Sequence, residues 1–233
     1  MPVLRLRTGN TEPLEKSQRD ICRFRALFAL CFTGPIGDNI GMDLLPPPSL
    51  APAQAGLSRR QFLRAASLLP GMALLPTSVL ANDFWSRPRE LWLRRRSTGE
   101  EIRAVYLANG QLQTDGYVAL CKLLRDAQAG QAVQMDLVLL DILRGVYGWF
   151  DAAGMTRPID INSGYRTVHT NSKEGGARNS MHTYGKAADL RMEGVPTAYM
   201  AKLGMYLAGG GVGYYAQKGF VHVDTGRLRS WTG

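Results

Sequence analysis

Ser180-Met181-His182-Thr183-Tyr184-Gly185-Lys186-Ala187-Ala188-Asp189-Leu190-Arg191-Met192 is the stretch on which the fold of this 233-residue chain turns. Within it, Ala187 to Met192 reads as a strand. On the N-terminal side lies a segment rich in Gly, Asn, Ser and charge, Thr167 to Met181. Before it, Pro158 to Asn162 reads as another strand, running into Ser163-Gly164-Tyr165-Arg166. On the C-terminal side Pro196 opens a helix to Leu207, and Gly211 to Tyr215 with Gly219 to Asp224 form a final strand pair. Further upstream, Arg89 to Arg96, the turn Ser97 to Glu100, and Glu101 to Leu107 read as a hairpin, with Asn109-Gly110 marking a second turn. Between these halves come two helical patterns, Gly116 to Ala127 and Met135 to Ala152. Strands before and after helices, in mixed order, predict an α+β domain: a small antiparallel sheet with flanking helices.

The chemistry of the quoted stretch lies in its histidine. The chain has three, His169, His182 and His222, and two of them stand near acids in separate strand-forming segments: His182 with Asp189, and His222 with Asp224. A catalytic zinc takes three nitrogen or oxygen ligands and keeps one position open, so two imidazoles and a carboxylate are a sensible set. His169 sits in the polar loop and reads as a solvated or rim residue. Cys121, in the apolar run Tyr117 to Leu124, reads as a buried helix residue. Arg94-Arg95-Arg96 reads as a solvated strand end.

The N-terminal third has a different texture. Ser58-Arg59-Arg60-Gln61-Phe62-Leu63-Arg64 precedes a mildly apolar stretch ending Val79-Leu80-Ala81, which resembles a twin-arginine export signal. Pro70, Gly71 and Pro76 interrupt that stretch, and it is shorter than the roughly 20 residues of a spanning helix, so no permanent anchor is expected after cleavage before Asn82. Residues 1–57 are expected to be a disordered leader or an over-extended reading frame starting properly at Met42, 58–81 the signal, and 82–233 the exported domain. Removing 1–81 lowers the net charge from +9 to +5 and leaves Cys121 as the single cysteine, so no intramolecular disulfide is expected. A charge of +5 without a recognisable binding motif argues against nucleic acid as a partner.

Ser163-Gly164-Tyr165-Arg166, Ser180-Met181-His182 with Gly185 and Asp189, Gly210 to Tyr215, and Phe220-Val221-His222-Val223-Asp224 together resemble the zinc D-Ala-D-Ala carboxypeptidase group. That group shares a superfamily with lysostaphin-type endopeptidases and hedgehog domains. The likeness covers residues 84–231 and is nearest to the murein endopeptidase K branch, because Thr98-Gly99-Glu100 and Leu124-Arg125-Asp126 also fit that branch. The resemblance implies a hedgehog/D-Ala-D-Ala-peptidase-like zinc fold, with Zn²⁺ held by His182, Asp189 and His222. It further implies a catalytic Arg166, which steadies an oxyanion or holds a substrate carboxylate, and a substrate contact from Ser180.

The expected activity is periplasmic hydrolysis of peptide cross-links in peptidoglycan, after export by the twin-arginine translocase. The alternatives are a D-Ala-D-Ala carboxypeptidase and a non-catalytic peptidoglycan- or metal-binding scaffold. One departure from the family pattern keeps the scaffold open. Many members of the group carry a base just before the distal histidine, a His two positions earlier or a Glu/Asp three earlier, where this chain has Phe220 and Gly219. Asp224 is then the nearest candidate, as catalytic base, as a partner orienting an imidazole, or as third ligand in place of His222.

Overall fold

A computed structural model describes residues 84–233; the readings that fall on 1–81 lie outside the described residues. The elements run β1 (Arg89–Arg95), β2 (Glu100–Ala108), β3 (Gln111–Leu112), α1 (Thr114–Leu123), α2 (Leu137–Ala152), β4 (Ile159–Ser163) and α3 (Val168–Lys173). After a 3₁₀ turn at Met181–Tyr184 come β5 (Ala187–Arg191), α4 (Thr197–Leu207), β6 (Gly211–Tyr215), β7 (Phe220–Asp224) and β8 (Arg229–Thr232). The strands form one eight-stranded sheet in the order β3-β2-β1-β4-β5-β7-β6-β8. Two pairings, β1 with β4 and β6 with β8, are parallel, and the rest are antiparallel.

Alternation sorts the two faces. In β1, Arg89, Leu91, Leu93 and Arg95 are buried while Glu90, Trp92 and Arg94 are half-exposed. Leu91, Leu93, Ile159, Ile161, Ala188, Leu190, Val221 and Val223 join the apolar sides of α1, α2 and α4 in a single core. Asp160, Asp189, Arg191, His222 and Asp224 fall on the other face by the same period. The helices therefore cover one face, and the functional side chains collect on its opposite.

Local chemistry accounts for the boundaries. Asn109 and Gly110 both take positive φ (51° and 72°), the conformation a two-residue hairpin turn demands. Asp136 caps α2 by accepting from Val138 N at 2.9 Å, and its other oxygen takes the Thr225 hydroxyl at 3.0 Å, tying the helix start to the end of β7. α1 ends at Leu123 rather than at the expected Ala127. Asp126 bridges to Gln131 instead and accepts from Thr167 N at 2.8 Å, fastening the two loops beside the site. Cys121 is fully buried in α1.

Arg95 corrects the reading of the arginine run as a solvated end. It is 3% exposed, and its guanidinium donates to the carbonyls of Leu123 (2.9 Å) and Arg125 (2.7 Å), satisfying the C-terminal end of α1. Nor is the sheet confined to the expected strands. β3 has two residues and β8 four, with large and small side chains alternating in β8 rather than apolar and polar ones, so neither was read as a strand, and α3 forms inside the polar segment read as loop. No helix among the described residues is long and apolar enough to cross a membrane.

Candidate metal centre

β5 and β7 pair antiparallel with Asp189 opposite His222, so both side chains leave the same face of adjacent strands. His182 arrives from the 3₁₀ turn that precedes β5. Gly185, with φ of 68°, closes that turn and aims the chain into the strand. A seven-residue spacing thereby brings a turn residue over a strand residue. His182, Asp189 and His222 are 3%, 4% and 8% exposed.

Their facing atoms form a triangle. His182 Nε2 lies 3.2 Å from Asp189 Oδ1 and 3.1 Å from His222 Nδ1, and the latter is 3.0 Å from Asp189 Oδ1. Ligands held tetrahedrally at 2.0–2.1 Å stand about 3.3–3.4 Å apart, so this triangle is close to one face of a zinc tetrahedron. The groups behind it determine what the triangle offers. His182 Nδ1 donates to the Gly164 carbonyl at 2.6 Å, and His222 Nε2 donates to Asp224 Oδ2 at 2.9 Å. In the neutral imidazoles the inward nitrogens are then lone pairs. Asp189 Oδ2 accepts from Arg166 Nη2, leaving Oδ1 inward. Two lone pairs and a carboxylate oxygen, three acceptors with no donor among them, converge on one point, and that donor set fits a divalent cation.

The electrostatics agree. Burial alone would raise the Asp189 carboxyl, but without a metal the imidazoles of His182 and His222, where a proton occupies an inward nitrogen, hold it far below the ordinary carboxylate range. Burial would likewise lower His222, and its contacts with Asp189 and Asp224 instead push it above the ordinary imidazole value.

Gly164 shows how closely the support is built. A Cβ there would stand 2.3 Å from the Leu124 carbonyl oxygen, so only glycine lets this loop press on α1 and present its own carbonyl to His182. Arg166 is held twice, donating from Nε to Ser163 Oγ at 2.7 Å and from Nη2 to Asp189. Ser180 precedes the 3₁₀ turn without capping it through its side chain and lines the cleft. His169 is exposed on α3 and is absent from the cleft lining, which makes it a solvated residue rather than a rim one.

Asp224 is 1% exposed and accepts five hydrogen bonds. Oδ2 takes His222 Nε2 and Arg229 Nη2 (2.7 Å), and Oδ1 takes Gly211 N, Gly226 N and Arg229 Nη1. Burial opposes its ionisation, yet His222, Arg229 and Gly226 keep its carboxyl far below the ordinary range. It reaches the imidazole from the side opposite the triangle. That geometry suits orienting His222, with both carboxylate oxygens engaged by other donors.

Sequence reasoning missed Arg229 and Trp231. Gly211 pairs with Arg229 and Gly213 with Trp231, which sets both side chains on the site face; the Trp231 ring lies 5.2 Å from that of His222. The alternation Arg229-Ser230-Trp231-Thr232 was the available signal. Phe220 stacks on Tyr215 at 4.6 Å, and with Trp231 the two build an aromatic wall beside His222. The cleft over the triangle measures about 860 Å³ and runs from Thr98 and Gln128 to Trp231, a size suited to an extended peptide.

A mixed sheet with helices on one face, and a cleft on the other floored by a His/Asp/His cation site, defines a metallopeptidase. The chain belongs to the family described as peptidoglycan L,D-endopeptidase MepK, which matches residues 84–231. It is 35% identical over 180 residues to the peptidoglycan L,D-endopeptidase MepK of Escherichia coli K12, covering 75% of this chain and 97% of that one. The probable peptidoglycan L,D-endopeptidase MepK of Haemophilus influenzae is 33% identical over 182 residues, covering 76% and 96%. A shorter likeness, 59% over 34 residues, links it to the zinc D-Ala-D-Ala carboxypeptidase of Streptomyces albus G, covering 15% of this chain and 13% of that one.

Proposed function

We propose that this chain is a zinc-dependent endopeptidase that hydrolyses peptide cross-links of peptidoglycan outside the cytoplasm. The observation that carries the reading is the triangle of inward acceptors on His182, Asp189 and His222, each with its other heteroatom engaged by a neighbour. These three residues would hold the ion. The chemistry zinc supplies when bound is Lewis acidity, which acidifies water and polarises an amide carbonyl.

The chain's own residues do the rest. Gly164 and Asp224 hold the two imidazoles in the tautomers that point lone pairs inward. Arg166 neutralises the outer Asp189 oxygen, and its remaining N–H edge is the fixed positive group nearest a developing oxyanion. Ser180 offers a hydroxyl to the substrate backbone. The aromatic wall of Tyr215, Phe220 and Trp231 excludes water from one side of the cleft. We assign residues 58–81 to a twin-arginine signal and 82–233 to the exported enzyme, a route that suits loading of metal into a folded domain.

The test is digestion of purified sacculi with and without chelator, by the wild-type protein and by His182→Ala, with products separated by mass. Cleaved cross-links that vanish on chelation, return with zinc and are missing for His182→Ala are expected. Cleavage by His182→Ala at the wild-type rate would overturn the proposal. The absence of an ionisable group at Gly219 and Phe220 favours one other reading, a wall-binding scaffold. Sacculus binding without hydrolysis at any zinc loading is the result that would establish it.

A further inference from the structure

Two residues along β5 from Asp189, about 7 Å of strand, Arg191 stands on the same open face of the sheet. There it meets Asp160 of β4, its register partner. Asp160 is fully buried, and three guanidinium groups converge on it. Arg94 Nε donates to Oδ1 at 2.7 Å, while Arg96 Nη1 and Arg191 Nε stand 3.7 and 3.9 Å from Oδ2. One arginine suffices to pair one carboxylate. Arg94 does so and also reaches Glu193 at 3.3 Å. The guanidinium groups of Arg96 and Arg191 donate no hydrogen bond to any described residue, and their side chains are 53% and 34% exposed.

The positive charge on this patch therefore exceeds what the fold uses. Glu193, the other acid beside it, is 62% exposed and engages only Arg94 through its side chain; Arg157 adds a further guanidinium by donating to the Glu193 carbonyl at 3.4 Å. The core helices lie on the opposite face of the sheet, so this strip shares the face of the metal triangle and lies beside the cleft, just outside its lining, next to Asn162 and Ser97 that do line it. A pair of planar guanidinium groups with spare N–H groups, Arg191 on β5 and Arg96 in the turn after β1, matches a carboxylate.

The geometry points to a second, carboxylate-binding subsite formed by Arg96 and Arg191, which holds a free carboxylate of the wall peptide a few residues from the bond being cleaved. Arg94 and Asp160 are its positioning residues, since their pairing pins β1 to β4 and sets the spacing of the other two. The inference rests on the peptidoglycan reading for the identity of the ligand. It assigns the patch a role that the metal triangle does not share.

Soluble cross-linked muropeptides, with side-chain carboxylates free or converted to carboxamides, test it with the zinc-loaded full chain. For the wild type, KM for the amidated peptide is expected about tenfold above that for the free acid, a difference that shrinks as salt rises. For Arg96→Gln and Arg191→Gln the ratio falls toward one. Arg96 is half-exposed and makes no hydrogen bond to the fold, so Arg96→Gln keeps the test intact if Arg191→Gln fails to fold.

Equilibrium binding of the same two peptides to metal-free protein separates the two hypotheses. A tenfold binding preference without hydrolysis would refute the endopeptidase reading and leave the subsite standing. Hydrolysis with a ratio of one in the wild type overturns the subsite and leaves the activity standing. An unchanged tenfold ratio in Arg96→Gln also overturns it.

Discussion

Asp224→Asn separates the roles open to this carboxylate. The substitution keeps the shape and removes one acceptor, so the amide must choose an orientation among five donors. With its oxygen at the Oδ1 position it still satisfies the backbone N–H groups of Gly211 and Gly226, which cannot move or change protonation. The amide NH₂ then faces His222 Nε2, which must give up its proton to accept. The proton moves to Nδ1, into the triangle, and blocks the lone pair that would bind metal. Arg229 faces the same NH₂ and, at one-third exposure, can swing away.

The cost is therefore borne by the metal. Loss of such an imidazole-orienting partner weakens binding about 10- to 100-fold, about 1.4–2.7 kcal/mol. Zinc titration against a competing chelator measures it, and excess zinc should restore most of the sacculus hydrolysis. If Asp224→Asn binds zinc within about twofold of the wild type and yet hydrolyses nothing at saturating metal, the orienting role is wrong and Asp224 acts as the base.

Further outcomes follow from other parts of the structure. On the covered face, Asp141 accepts from Arg89 at 2.8 and 2.9 Å and from the Tyr106 hydroxyl at 2.6 Å, all buried. Asp141→Asn leaves the Arg89 charge buried without its counter-ion, and a loss of about 3–5 kcal/mol is expected in denaturant melts, with hydrolysis per folded molecule unchanged. Metal-stripped protein should show a stability plateau in pH. His222 is raised above its ordinary 6.5, so its contribution is complete below about 6.5 and fades as pH climbs through the folded value. Asp189 and Asp224 are depressed below 3.8, so theirs is complete above about 4 and fades as pH falls through the folded values. Melting temperature should decline on both sides of that window. Zinc should shift the alkaline side most, because binding needs the deprotonated imidazoles. A metal-free melting temperature that rises between pH 6.5 and 8 would contradict the site's electrostatics.

Much of the architecture was legible because local patterns and tertiary packing agree. The alternation of β1, the Asn109-Gly110 turn, the apolar face of α2 and the proline ahead of α4 each mark an element that the structure contains. The segments that escaped are those whose form depends on contacts far away. α3 is six residues of polar sequence, with Thr167 capping Thr170 N at 3.2 Å and Asp126 holding Thr167 from outside. β8 exists because β6 offers it an edge. Arg95 is buried because the end of α1, which its local sequence cannot anticipate, presents carbonyls to it.

The site divides along the same line. By itself the sequence supplied the candidate donors, His182, Asp189 and His222 through the family resemblance with Asp224 as a rival for the third, and the strands that carry Asp189 and His222, because residue identity and period-two patterning are local properties. Only the tertiary structure decided how those donors point. The direction of each lone pair is set by its partner behind, Gly164 for His182, Asp224 for His222 and Arg166 for Asp189. Those partners come from a loop pressed on α1, a strand steadied by Arg229 of β8, and the turn after β4. A hydrogen bond between residues 18 positions apart is a statement about packing, and packing is settled only when the whole sheet has closed.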